Sequence, residues 1–349
     1  MGRRVALLAL ITLPGIESFL IGECKVHGVP VGQVGDGWVE AGGDPAALLD
    51  HAGTLRAVVE VHWQGPWDAV PSRLPKARQL WCEGQWINEG RRVAAVCDAV
   101  VRATGGPEPL RTPSGPPGAV CLVDRGGQVL VGAASAWGLE LQRPYRVALM
   151  ARSLNPTMAR ALAMASRARP GDVFLDPFCG SGTVLAERAL LGACRLLGLD
   201  ADARAVDAAG RTLAGFVHAR ARPGAVGGVC DPEGGADVDP SGTVVSVGDA
   251  RTIALPAGAV TAVATNPPFG HRLGSAADNA ELYPRALREI VRVLRPRGRL
   301  VVLSGDRRHL RQALRACGGA LRPRSETRVW LGGLEPILGV YDRTEAPLP

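Results

Sequence analysis

Two short stretches of this chain carry the residue types that could do chemistry: Asp176-Pro177-Phe178-Cys179-Gly180-Ser181-Gly182, and Asn266-Pro267-Pro268-Phe269. The glycines of the first let the backbone approach a ligand closely, and the free N–H groups of a helix starting there would receive the ligand's polar end. The spacing is neither G-x-G-x-x-G nor G-x-x-x-x-G-K-[ST], which counts against a nicotinamide enzyme and against a P-loop. The second stretch displays an amide, two prolines and an aromatic ring, parts suited to gripping a flat, amino-bearing base. Three acids close successive apolar runs: Asp176, Asp200 in Gly198-Leu199-Asp200, and Asp249 in Gly248-Asp249-Ala250. Singly, each could equally be a loop cap; together they favour a nucleoside. Asp200 follows the glycine turn by about 20 residues, the distance expected of a ribose-binding acid. Asp202 is its rival, although a helix N-cap is the simpler reading of that residue.

These residues need elements to hold them. Residues 173–175 are apolar and 183–191 are apolar with helical periodicity, so the first stretch reads as strand, tight turn and helix start. The second stretch ends the apolar run 260–265. Asn155 opens a helix with proline in its first turn, and Pro170-Gly171 ends it. Strand 195–199, helix 202–216, strands 244–247 and 260–265, helix 279–294, strand 300–304 and helix 306–317 follow. This β-α alternation predicts a parallel sheet covered by helices on both faces. Residues 327–331 and 336–341 read as a hairpin that would place an antiparallel strand at the end of the sheet. Residues 224–242, rich in Gly, Pro and Asp and without periodicity, read as a surface loop. In an open α/β sheet, ligands sit beyond the carboxyl ends of the strands where strand order reverses, and all the candidate positions fall there.

The first 142 residues follow a different pattern. Strand 4–13, helix 15–27, a hairpin over Gly35-Asp36-Gly37, a short helix to residue 51 and strand 55–63 are expected. Strand 80–86, helix 89–103, a loop over 105–118 and a hairpin across Arg125-Gly126-Gly127 complete a smaller α+β domain. With 349 residues, two domains are expected, 1–142 and 143–349.

Charge divides unevenly between them. The net +7 comes from 12 Lys+Arg against 14 Asp+Glu in residues 1–142 and 28 against 19 in 143–349, so a polyanion-binding field belongs mostly to the second part. Arg285, Arg288, Arg292 and Arg295 share one face of their helix, and Arg308, Arg311 and Arg315 share one on the next. Such stripes serve equally as a solvated face or as a track for a phosphate backbone. Six tryptophans lie in residues 1–142, where core packing outweighs base stacking as their use. The eight cysteines contain no C-x-x-C pair and no His at zinc-ligand spacing, so a metal site is not expected and reduced core thiols of a cytoplasmic protein are. The apolar residues 5–13 behind Arg3 and Arg4 imitate a secretory leader, but Pro14-Gly15-Ile16-Glu17 replaces the cleavage site; a buried strand and no membrane span are expected.

In this order, the two motifs resemble the S-adenosylmethionine-dependent amino-methyltransferases of nucleic-acid bases. With Arg143-Pro144-Tyr145-Arg146, Leu154-Asn155-Pro156-Thr157, Leu331-Gly332-Gly333-Leu334 and Thr12-Leu13-Pro14-Gly15-Ile16-Glu17, the chain resembles the THUMP-domain tRNA guanine-N2 methyltransferases. The resemblance implies a Rossmann-like methyltransferase sheet over 143–349, preceded by a reduced THUMP-like RNA-binding domain, with S-adenosylmethionine as cofactor and tRNA as partner. It implies N2-methylguanosine as product, and the Asn form of the motif implies position six. Asn155, Asp176, Gly180, Ser181, Gly182, Asp200, Asp202, Asp249 and Ala250 become the cofactor-binding candidates. The glycine turn lies under the methionine end, Asp176 faces the ammonium, Asp200 the ribose and Asp249 the adenine amine. Asn266 and the Pro267 carbonyl accept the two hydrogens of the target amine, turning its lone pair toward the methyl group, and Phe269 stacks on the base. The charge asymmetry, not the resemblance, makes Arg285, Arg288, Arg292 and Arg295 the candidate RNA contacts. Asn-Pro-Pro-Phe alone would serve a DNA adenine or cytosine amino-methyltransferase equally well. A small-molecule methyltransferase, or a non-catalytic RNA-binding protein, could carry the same fold.

Overall fold

A computed structural model describes residues 7–43, 46–49, 52–66, 80–83, 120–125, 128–137, 139, 143, 145–148, 150, 153–192, 194–220, 242–269, 276–331 and 333–348. The chain forms two compact units, Met1–Gln142 and Arg143–Pro349.

The first unit is built on a seven-stranded sheet of order β2-β3-β1-β4-β7-β6-β5. Its strands are β1 (Leu7–Ile11), β2 (Val31–Gly35), β3 (Trp38–Ala41), β4 (Ala57–Pro66), β5 (Leu80–Glu83), β6 (Val120–Arg125) and β7 (Gln128–Trp137). Pairing is antiparallel except between β5 and β6. Strand β1 is apolar throughout, and it takes an interior place between β3 and β4. Helix α1 (Glu17–Val26) covers one face through Leu20 and Cys24, and α2 (Ala46–Leu49) adds Leu48. Glu23 is buried on α1, where it accepts the N–H groups of Gly53 and Thr54 at 2.8 and 2.9 Å. The helix expected over 89–103 and the loop over 105–118 lie outside the described residues.

The second unit carries a seven-stranded sheet of order β10-β9-β8-β11-β12-β14-β13. Strands β8 (Val173–Asp176), β9 (Arg195–Asp200), β10 (Thr243–Val247), β11 (Val260–Thr265) and β12 (Leu294–Ser304) are parallel. Helices α3 (Pro156–Ser166), α4 (Thr183–Ala189), α5 (Ala203–Arg220), α6 (Ala276–Val293) and α7 (Arg307–Ala316) connect and cover them. The chain leaves β8 toward β9 and β10, then returns to the other side of β8 as β11, so strand order reverses between β8 and β11. Asp176 ends one of these strands and Asn266 follows the other, which brings both sequence motifs to the place where such sheets bind ligands.

The terminal pair forms the expected antiparallel hairpin at the end of the sheet. Strand β13 (Leu321–Arg328) starts earlier than its apolar residues indicate, and β14 (Ile337–Arg343) inserts between β12 and β13. The antiparallel strand is therefore one place in from the edge. The composition explains the order: Ile337 to Tyr341 of β14 are all buried and need neighbours on both sides. The β13 sequence Leu-Arg-Pro-Arg-Ser-Glu-Thr-Arg is almost wholly exposed, and its charges and proline suit an open edge. The core between the sheet and helices α6 and α7 contains Val263, Leu287, Ile290, Leu300, Leu310 and Tyr341. The insertion expected over 224–242 falls, apart from its last residue, outside the described residues.

Candidate active site

The glycine turn is held by the neighbouring strand. Cys179 N–H donates to the Leu199 carbonyl at 2.9 Å, and Gly182 N–H closes the turn on the Cys179 carbonyl at 2.8 Å. Gly180 N–H donates to Asp200 Oδ2 at 2.9 Å, while Asp202 N–H takes the other oxygen, Oδ1, at 2.9 Å. Asp200 thus clamps the turn as well as closing β9. Gly182 has φ +78, and a Cβ there would stand 3.1 Å from that of Ala209 on α5, so glycine is required on both counts. Gly180, at φ +52, would point a Cβ into open space. Ser181 is buried and shares a hydrogen bond with Ser153 Oγ at 2.6 Å, tying the turn to the segment before α3. Asn155 caps α3 by accepting from Thr157 N–H at 2.9 Å.

Asp176 sits at the switch point with 1 % of its surface exposed. Thr265 Oγ1 donates to its Oδ1 at 2.7 Å and Phe178 N–H at 3.2 Å. Burial outweighs these two donors, and with a push from Asp200 it lifts the carboxyl from 3.8 to about 7. Cys179 packs its sulfur near Gly198, and burial beside Asp176 and Asp200 pushes its thiol far up, which disqualifies it as a nucleophile. Asp202 is half-buried, caps α5 and pairs with Arg204. Asp249 pairs with Arg251 at 2.6 Å, which keeps its carboxyl below the usual range, and the adjacent Ala250 is buried.

The loop after β11 is fixed by residues that sequence reasoning missed. The Pro268 carbonyl accepts from Asn279 Nδ2 at 3.2 Å and from Tyr283 Oη at 3.0 Å. Tyr283 also shares a hydrogen bond with Ser304 Oγ at 2.9 Å, and Asn279 Nδ2 donates to Asp306 Oδ2 at 2.9 Å. Asp306 caps α7 and holds His309 Nδ1 at 2.7 Å. Phe269 lies against the backbone of Gly305, where a Cβ would come within 2.8 Å of the ring. Pro267 is buried and its carbonyl is left out of this network, with no partner among the described residues. Asn266 Oδ1 is buried and accepts no hydrogen bond among the described residues. A buried acceptor without a donor costs roughly 1–3 kcal/mol, so this oxygen is free to take an N–H donor.

The four arginines expected on one helix face are not equivalent: Arg285, Arg288 and Arg292 stand on α6, but the helix ends at Val293 and Arg295 belongs to β12. Arg285 pairs with Glu281 at 2.8 Å. Arg292 is tied to Glu289 and donates to the carbonyls of Leu255 and Ile253 at 2.8 and 2.7 Å, a structural brace. Arg295 reaches Asp172 at 3.5 Å, and Arg288 has no acidic partner among the described residues. Among the described residues, no group of three His, Cys, Asp or Glu could hold a metal ion, and no helix is long and apolar enough to cross a membrane.

Comparison with known proteins places these features in a context. The family model described as UPF0020, an RMKL-like methyltransferase domain, matches residues 143–337. The tRNA (guanine(6)-N2)-methyltransferase of Thermus thermophilus is 30% identical over 261 residues, covering 71% of this chain and 66% of that protein. The tRNA (guanine(6)-N(2))-methyltransferase THUMP3 of Bos taurus is 29% identical over 197 residues, 55% of this chain and 36% of the relative. The chain thus matches about a third of the length of that mammalian relative. The solved structure of TrmN from Thermus thermophilus superposes with a TM-score of 0.66 at 22% identity, covering 97% of this chain and 99% of that one.

Proposed function

We propose, on the premise that the chain belongs to the UPF0020 family of RMKL-like methyltransferase domains, that it methylates the exocyclic N2 of a guanine in tRNA, with position six as the site. The orphaned Asn266 Oδ1 carries this reading. A guanine amine is a poor nucleophile because its lone pair is delocalised into the ring. With one hydrogen on Asn266 Oδ1 and the other on the Pro267 carbonyl, the nitrogen moves toward sp³ and its lone pair becomes available. Asn279 and Tyr283 fix the loop through Pro268, so both acceptors are set before the base arrives. Phe269, braced on Gly305, offers its ring to the base.

The residues present fit S-adenosylmethionine. Gly180 leaves room for a ligand against its backbone, and Asp176, Asp200 and Asp249 stand at successive strand ends to meet an ammonium, a ribose and an adenine amine. When bound, this cofactor supplies an electrophilic methyl group on a sulfonium. The chain's own part is to grip it, orient the amine for in-line attack and exclude water. Residues 1–142 lie outside the family match, and we assign them to holding the RNA as a reduced THUMP-like domain.

The test is nucleoside mass spectrometry of tRNA, rRNA and DNA from cells with and without the gene. Loss of N2-methylguanosine from tRNA alone is expected. A loss confined to methyladenine or methylcytosine in DNA would replace this substrate with a DNA base.

A further inference from the structure

We infer that the RNA phosphate backbone runs along α7, over Arg308, Arg311 and Arg315, with Arg328 of β13 beside its start; the inference rests on the proposed RNA substrate. Arg308, Arg311 and Arg315 are exposed and recur at spacings of three and four, while Leu310, Ala313 and Cys317 bury the opposite face. None of the three pairs with a carboxylate among the described residues. Helix α7 contains no acidic residue.

The contrast with α6 decides between the two stripes. There Glu281 and Glu289 neutralise Arg285 and Arg292 from within the same helix. Like charges three and four apart on α7 instead repel one another, at a cost to the free protein. A polyanion would relieve that cost.

Position agrees with charge. Helix α7 follows β12, so its first turn emerges at the carboxyl edge of the parallel strands, beside the catalytic loop. Its cap Asp306 is bonded to Asn279, which in turn holds the Pro268 carbonyl. Strand β13 is antiparallel to β14, which is antiparallel to β12, so Arg328 at its end reaches the same edge. Arg308 and Arg315 are separated by about 10 Å along the helix axis, a track leading away from the target base. Arg288 extends it: burial lifts the thiol of Cys317, the C-cap of α7, to about 11, and Arg288 is one of two cations pulling against that rise.

The experiment measures tRNA transcript binding against salt for the full chain, with Arg308, Arg311 and Arg315 changed together to Gln or to Lys. The Gln variant should flatten the log–log slope by roughly 0.7–0.9 per lost contact and raise KM for tRNA with kcat little changed. The Lys variant should keep the slope, and Arg285→Gln with Arg295→Gln should change it little. Cofactor affinity should be the same in all, which guards against misfolding. A wild type that methylates tRNA while the α7 Gln variant keeps its slope and KM would remove the track alone. A larger effect from the Arg285 and Arg295 pair would also overturn it. A wild type that neither binds nor methylates RNA would overturn the proposed substrate together with this inference.

Discussion

The proposed contact of Asp176 with the cofactor's ammonium predicts pH-dependent binding, with a sign and size that follow from the residue's surroundings. Burial holds its carboxyl at about 7, so without ligand it is largely protonated at pH 6 and largely ionised at pH 8. An ammonium placed beside it favours the carboxylate, so binding expels the proton and affinity rises with pH. With one site at about 7, the ionised fraction goes from about 0.09 at pH 6 to about 0.76 at pH 7.5, a roughly eightfold gain worth about 1 kcal/mol. Over this window the ligand's own amine stays mostly protonated. Calorimetry with S-adenosylhomocysteine at the two pH values, in buffers of different ionisation enthalpy, reads both the affinity and the released proton. Asp176→Asn should bind more weakly and without the pH dependence. Wild-type affinity that is flat across the window, or a variant with the same profile, would refute the ammonium contact. The unliganded protein gives a second readout. Because the folded pKa lies above the ordinary 3.8, this residue's contribution is present below pH 4 and lost as pH rises through about 7. The loss is on the order of 4 kcal/mol, and Asp176→Asn should not show it.

Three further substitutions read the scaffold. Gly182→Ala combines φ +78 with a Cβ 3.1 Å from Ala209, and thermal melting should show a loss of about 1–3 kcal/mol. Gly305→Ala places a Cβ 2.8 Å from the Phe269 ring; steady-state kinetics should show a raised KM for RNA and a lowered kcat with cofactor affinity intact. Tyr283→Phe removes one of the two donors to Pro268 and should cost about 1 kcal/mol of stability. Its kcat should fall while cofactor affinity holds, which a purely structural role would not produce.

The strand, glycine turn and helix around Gly180 were legible because an apolar run, turn residues and helical periodicity all agree at that point. The order of the last two strands was not. It depends on β14 being apolar on both faces while β13 is charged, a comparison between segments that neither reveals alone. Asn279 and Tyr283 are linked to the loop after β11 across many residues, yet a signal existed. They stand four apart on the apolar face of α6, in line with Leu287, where polar groups need a partner. The arginine stripe of α6 was visible in its spacing, and so were Glu281 and Glu289 at positions that neutralise it. Asp202 took the N-cap role that its place before a helix favours. Asn266 was legible as a type and a place, but its unpaired oxygen is a property of the fold alone.

The central claim is that the Asn266 oxygen acts on the amine and not on the cofactor. Purified wild-type chain with unmodified tRNA and methyl-labelled S-adenosylmethionine should yield N2-methylguanosine by nucleoside mass spectrometry. Asn266→Ala should lower the single-turnover rate by roughly 10²–10³ while leaving calorimetric cofactor affinity unchanged. A variant that keeps the wild-type rate, or one that loses activity only in proportion to lost cofactor binding, would contradict the account.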